Sequence, residues 1–238
     1  MSSAESVKTK DTANPGETTR MLTLGVMLSG GGRTLLNLVD CIHRGELDAR
    51  IAVVISSLSK IKGVERARAA GLPVVVIRRK YHPDVETFSR QIVETLEAHR
   101  VELACLAGWT CFWRIPEPWL GRVMNIHPAL LPKFGGQGFF GHHVHEAVLA
   151  AGEHRSGCTV HFANNEYDAG PIILQRTVPV LPTDTPDTLA ERVFEQECVA
   201  YPAAIRLFAK GHLVIQGDRV MLQRPGATAR PPRLPRAD

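Results

Sequence analysis

The amino-acid sequence predicts an α/β fold, an open and mainly parallel sheet with helices on both faces. Three observations carry that reading. Short apolar runs of strand length alternate with segments of helical spacing through the first half of the chain. The first of these runs ends in three successive glycines and passes straight into a helical pattern. A long stretch rich in Pro, Gly and aromatic residues then breaks the alternation, as functional loops do.

Taken in order, structure begins near Met21 with a strand over 22–28, followed by Ser29-Gly30-Gly31-Gly32. Leu35, Leu36, Val39 and Ile42 then recur at helical spacing. Further strands are expected over 51–55, 74–77 and 103–107, with helices over 64–71 and 85–99 between them. From Trp109 to Gly141 the chain reads as loops around one short strand, 122–126. A helix over 143–151 and strands over 159–162 and 172–180 follow. The next helix is long, capped by Asp184 or Thr185 with Pro186 in its first turn, and Pro202 should end or kink it. Residues 213–215 and 219–222 suit a terminal hairpin. The expected division is a disordered extension over 1–20, one folded domain over 21–223 and a disordered basic tail over 224–238.

The chain has 238 residues, 44% of them hydrophobic and 22% charged, enough for one substantial core. Its formal charge of +4 is lopsided: residues 224–238 carry four arginines against Asp238, leaving the remainder about neutral. A nucleic-acid binder would show a basic face within the folded part, so no nucleic-acid partner is expected. The five cysteines are scattered and never form C-x-x-C, which argues for reduced thiols in a cytoplasmic protein rather than disulfides or a zinc knuckle. The first twenty residues lack the apolar core of a secretory signal, and no run is long enough to suggest a membrane partner.

Two places carry chemistry. Glycines at a helix start let the backbone approach a ligand, and the N–H groups there attract anions. Gly31, Gly32, Arg33 and Thr34 therefore form a candidate phosphate site, although a tight turn also needs glycine for its angles alone. The second place is Val123-Met124-Asn125-Ile126-His127-Pro128. Alternate residues of a strand share a face, so Asn125 and His127 project together at the strand's end. There an amide can donate to an oxyanion while an imidazole donates or moves a proton. Asp168, on a loop before a strand, is a reasonable carboxylate partner that would raise the histidine's pKa and orient its ring.

The stretch Asn125-Ile-His-Pro-Ala-Leu-Leu-Pro-Lys133, with Tyr167-Asp168-Ala-Gly-Pro-Ile-Ile-Leu-Gln175 further on, closely resembles the folate-dependent formyltransferases. Segments around Leu106-Ala-Gly108, residues 63–71, residues 156–162, Gln196-Glu197 and Tyr201-Pro202 are similar to the branch that acts on glycinamide ribonucleotide. The resemblance spans about residues 22–222. It implies a formyltransferase-like fold with a Rossmann-like N-terminal half. It also implies formyl transfer from 10-formyltetrahydrofolate to a primary amine, with Asn125, His127 and Asp168 as the catalytic set and no metal. The glycine turn and Glu197 would hold the nucleotide, Glu197 through the ribose hydroxyls. Thr110, Cys111, Phe112 and Trp113, with Asn125 and Asp168, would line the folate pocket. The expected partners are small molecules, in a monomer or homodimer.

The sequence also departs from that family. Arg33 and Thr34 stand where the family has Ser or Thr and then Asn, and the segment 109–116 carries bulkier residues than usual. Residues 134–141 are longer than the usual loop and suit a lid. His142, His143 and His145 lack H-E-x-x-H spacing, so no metal site is expected there. His161 is expected to serve as a hydrogen-bonded structural group or a support to the catalytic set. Glu197 falls on the apolar face of its helix, where a carboxylate needs donors. Another amine acceptor, or a non-catalytic folate- or nucleotide-binding module, remains the competing reading.

Overall fold

The computed structural model describes residues 21–223; the extension expected over 1–20 and the tail expected over 224–238 lie outside them. The elements run β1 (Leu22–Leu28), α1 (Arg33–His43), β2 (Ala49–Ser56), α2 (Lys62–Ala69), β3 (Val74–Val76), α3 (Val85–Ala98) and β4 (Leu103–Leu106). They continue with β5 (Val123–His127), α4 (His142–Ala150), β6 (Arg155–Phe162), β7 (Ile172–Pro179), α5 (Pro186–Ala209), β8 (Leu213–Gln216) and β9 (Arg219–Leu222). Seven strands form one sheet in the order β3-β2-β1-β4-β5-β6-β7, and β8 and β9 make a separate hairpin. The strands from β3 to β5 are parallel, while β6 and β7 run antiparallel to their neighbours.

Strand parity sorts the core into two layers. Leu22, Leu24, Val26 and Leu28 face one side of the sheet and pack with α1 and α5 through residues such as Leu35, Leu38 and Ile205. Met27, Val53 and Ile55 face the other side and meet Phe88, Ile92 and Leu96 of α3, together with Trp113 and Trp119. Gly25 belongs to this second side, where a Cβ would come within 2.7 Å of Leu96. Both faces are covered, as a parallel sheet requires.

Two elements differ from the sequence expectation. β6 begins at Arg155, four residues before the expected strand, because pairing with β7 supplies the partner that Ser156 and Gly157 do not advertise. The long helix α5 does not end at Pro202 but continues to Ala209. Proline has no N–H to offer the carbonyl of Cys198, four residues back. That carbonyl instead accepts from the Asn37 amide on α1, at 3.0 Å, so the missing bond is replaced from a neighbouring helix. On the same helix, the buried Tyr201 hydroxyl lies 3.1 Å from the Leu106 carbonyl and 2.8 Å from that of Met124. It ties α5 to the end of β4 and to β5 one residue before Asn125.

Candidate active site

The glycine turn is shaped by its contacts with α2. Gly32 has φ of 74°, and a Cβ on it would approach the Gly63 Cα to 2.8 Å. Only glycine suits both demands. The Gly30 carbonyl accepts from the Gly63 N–H at 3.1 Å, and the Gly31 carbonyl accepts from Arg66 Nη1 at 2.7 Å. Two successive carbonyls thus turn toward α2. Trans peptides then aim the N–H groups of Gly31 and Gly32 away from it. Around Gly30 and Gly31 the space is open: no atom would lie within 4 Å of a Cβ on Gly30, and only Arg66 near one on Gly31.

At the end of β5, Asn125 and His127 meet Asp168 from the turn before β7. The Asn125 amide nitrogen lies 3.2 Å from Asp168 Oδ1 and 3.1 Å from His161 Nε2, its neighbour across the β5–β6 register. His127 Nδ1 lies 3.6 Å from Asp168 Oδ2, and its Nε2 is 2.7 Å from the Phe134 carbonyl. The Gly136 N–H donates to Asp168 Oδ2 at 3.0 Å. Loop 134–141 is therefore pinned to both members of the His127–Asp168 pair. Asp168 itself takes φ of 54°, a left-handed conformation that Asp tolerates better than most residues.

Burial and charge pull in opposite directions here. For His127, burial pushes the pKa down and Asp168 pulls it up; burial wins, leaving the ring neutral at neutral pH. The sequence expectation of a raised histidine pKa is thus corrected, because the carboxylate's pull is real but smaller than the loss of water. For Asp168, burial raises the pKa, but His161, His127 and the Gly136 N–H together outweigh it and lower the net value.

These groups share one cleft of about 870 Å³. The glycine turn (Gly30, Arg33, Thr34) bounds it, as do Asn125, His127 and Asp168 and the loop carrying Phe139 and Phe140. A small adjoining pocket of about 70 Å³ shares Asn125 and Asp168 and is walled by Cys111, Phe112 and Trp113. Glu197 on α5 lines the large cleft beside Phe194. Although part of its surface remains accessible, the protein around it pushes its pKa up to about 8, against the pull of Arg33.

A family model described as formyl transferase matches residues 23–205. The chain belongs to the formyl transferase family. Among similar proteins of known name, the phosphoribosylglycinamide formyltransferase of Haemophilus influenzae is 34% identical, over 85% of this chain and 94% of its own length. The trifunctional purine biosynthetic protein adenosine-3 of Drosophila pseudoobscura pseudoobscura is 40% identical over 84% of this chain, which spans 15% of that longer protein. A solved structure, glycinamide ribonucleotide transformylase 1 from Symbiobacterium toebii, superposes with a TM-score of 0.81 at 39% identity. That likeness covers 90% of this chain and all of the other.

Within this formyl transferase fold, Arg33, Thr34, Asn125, His127, Asp168 and Glu197 line the large cleft, and the other residues singled out from the sequence differ in detail. Thr110 lines the large cleft, whereas Cys111, Phe112 and Trp113 face the small pocket. Trp113 is largely core, so it serves as wall more than as contact surface. Gly30, Arg33 and Thr34 line the large cleft, and Gly31 and Gly32 lie between them in the chain, Gly31 exposed and Gly32 buried. The three neighbouring histidines do not converge. His142 meets Asp187 at 3.2 Å and His143 meets Glu146 at 3.2 Å, while His145 is buried with its pKa pushed down to about 4. Among the described residues no cluster of three or more His, Cys, Asp or Glu could hold a metal.

Sequence reasoning missed several supports. The Ser29 hydroxyl accepts from Ser57 at 2.6 Å and from the Thr110 N–H at 3.1 Å, joining the glycine turn to the segment that walls the pocket. Arg66 orients the Gly31 carbonyl. Phe134 and Gly136 act through backbone atoms, which no side-chain pattern announces.

Proposed function

We propose that the chain transfers the formyl group of 10-formyltetrahydrofolate to the amine of phosphoribosylglycinamide, a step of purine biosynthesis carried out in the cytoplasm. The observation that carries this reading is the convergence of Asn125, His127 and Asp168 in a cleft bounded by an anion-suited glycine turn. The nucleotide phosphate takes the glycine turn, with the N–H groups turned away from α2 as donors. Glu197 meets the ribose hydroxyls. The folate enters the pocket walled by Thr110, Cys111, Phe112 and Trp113, which brings its formyl group to Asn125.

In the reaction, the nucleotide's amine attacks the formyl carbon, a new C–N bond forms, and the carbonyl oxygen takes the negative charge. An amide hydrogen of Asn125, spent on Asp168 and His161 in the free protein, is redirected to that oxygen. When the contact between His127 Nε2 and the Phe134 carbonyl opens, the ring's one hydrogen moves to Nδ1, facing Asp168 Oδ2. The freed Nε2 then accepts the amine's proton, and the Asp168 carboxylate stabilises the imidazolium. The proton passes to N10 of the folate, the old C–N bond breaks, and tetrahydrofolate leaves. These steps require no metal and no covalent enzyme intermediate.

Purified protein supplied with 10-formyltetrahydrofolate, with and without the nucleotide, tests the proposal through the folate's absorbance change. Turnover should appear only with the nucleotide, and His127→Ala should reduce it about 100- to 10,000-fold. Formyl-folate consumption indifferent to the nucleotide would refute the acceptor. An undiminished rate in His127→Ala would refute the mechanism.

A further inference from the structure

Arg33 is the residue of the glycine turn whose charge suits a phosphate, yet its guanidinium is already engaged. Nη1 and Nη2 each donate to one carboxylate oxygen of Glu191, both at 2.5 Å, in the fork geometry that arginine also uses for phosphate. The guanidinium carbon stands 3.8 Å over the centre of the Phe194 ring, one turn further along α5. Arg33, Phe194 and Glu197 line the cleft; Glu191 does not. Its carboxylate therefore takes the arginine fork from outside the cleft, in competition with an anion bound inside it.

We propose that Glu191 is an internal competitor for the nucleotide phosphate, holding the Arg33 fork in the free protein and giving it up when the phosphate binds. The inference rests on the phosphate placement proposed above and adds to it the residue that sets its affinity. Three features support the exchange. Both side chains are well exposed, at 47% for Arg33 and 63% for Glu191, so their pairing is weak and readily given up. Phe194 holds the guanidinium by its face, which leaves the plane of N–H donors free to change partner. The glycine turn beside it offers further N–H groups that a phosphate can use at the same time and the Glu191 carboxylate does not.

The test is calorimetric titration of phosphoribosylglycinamide, and of its dephosphorylated riboside, into the full chain and three variants. Breaking an exposed pair shifts a competing equilibrium by about two- to fivefold. Glu191→Gln should therefore bind the nucleotide about two- to fivefold more tightly and leave the riboside unchanged. Glu191→Ala, at an exposed helix position, should do the same. Arg33→Ala should bind the nucleotide more weakly, and adding Glu191→Gln to it should bring no tightening. Unchanged or weaker nucleotide binding in Glu191→Gln would overturn the competition. So would a tightening that persists without Arg33, since that reports only a general loss of negative charge. Nucleotide and riboside binding the unaltered protein equally would refute the phosphate placement itself, and the competition with it.

Discussion

At the scale of single residues, His127 sits between two opposed influences, and their balance makes a measurable prediction. Burial lowers its pKa, while Asp168 raises it. A proton-accepting His127 must be neutral, so the acidic limb of the kcat/KM profile, which reports the free protein, falls below the usual histidine range. Asp168→Asn removes the stabilising negative charge, so the histidine's pKa drops further and the limb moves to still lower pH. The rate at the plateau should fall about a hundredfold or more, because the imidazolium loses its counter-charge. Asparagine accepts the left-handed backbone of position 168, so the turn survives the substitution. A limb that stays in place or moves to higher pH would show that Asp168 does not act on His127. The pair also shows what a sequence conveys about a site. The shared face of Asn125 and His127 follows from strand parity, but nothing local announces that Asp168 lies against them, 43 positions on from Asn125. Still less does it announce that Arg33 is held by Glu191, 158 positions away.

At the scale of elements, α5 depends on a helix that contacts it across the core. The N–H that Pro202 lacks is replaced at the Cys198 carbonyl by the side chain of Asn37. Asn37→Leu should leave that carbonyl unpaired and lower stability by about 1 kcal/mol in urea unfolding, since the site is only partly buried. Adding Pro202→Ala restores a backbone donor and should remove most of the cost of losing Asn37, a coupling that a double-mutant cycle detects. Equal losses from Asn37→Leu with and without Pro202 would show that the contact carries no such compensation. The same example explains why most elements were legible while details were not. Apolar periodicity locates β1, α1, α3 and α5, because each buries a regular face. It cannot foresee that a proline is tolerated, because the tolerance comes from another helix. The early start of β6 was illegible for a related reason: Ser156 and Gly157 are strand residues only through their pairing with β7.

For the molecule as a whole, the parallel strands deliver the glycine turn, the Gly108 segment and the Asn125–His127 pair to one edge of the sheet, where such sheets present their ligand crevice. Ser29 links the chain after β1 to the chain after β4 through Thr110, and Tyr201 joins β4 to β5, so the cleft is built on the core rather than on loops alone. Ligand binding should then stabilise the entire folded domain. At a nucleotide concentration about 100 times Kd, linkage adds about 2.7 kcal/mol, and for a domain of this size that raises Tm by about 5 to 10 °C. His127 works on the reacting amine, whereas the phosphate and ribose are held at the glycine turn and Glu197. His127→Ala should therefore keep most of the nucleotide-induced Tm shift while losing its rate. Scanning calorimetry of both proteins, with and without the nucleotide, separates the two roles. If the shift vanished along with the rate, His127 would be a binding residue, and the proton transfer assigned to it would have to move to another group of the cleft.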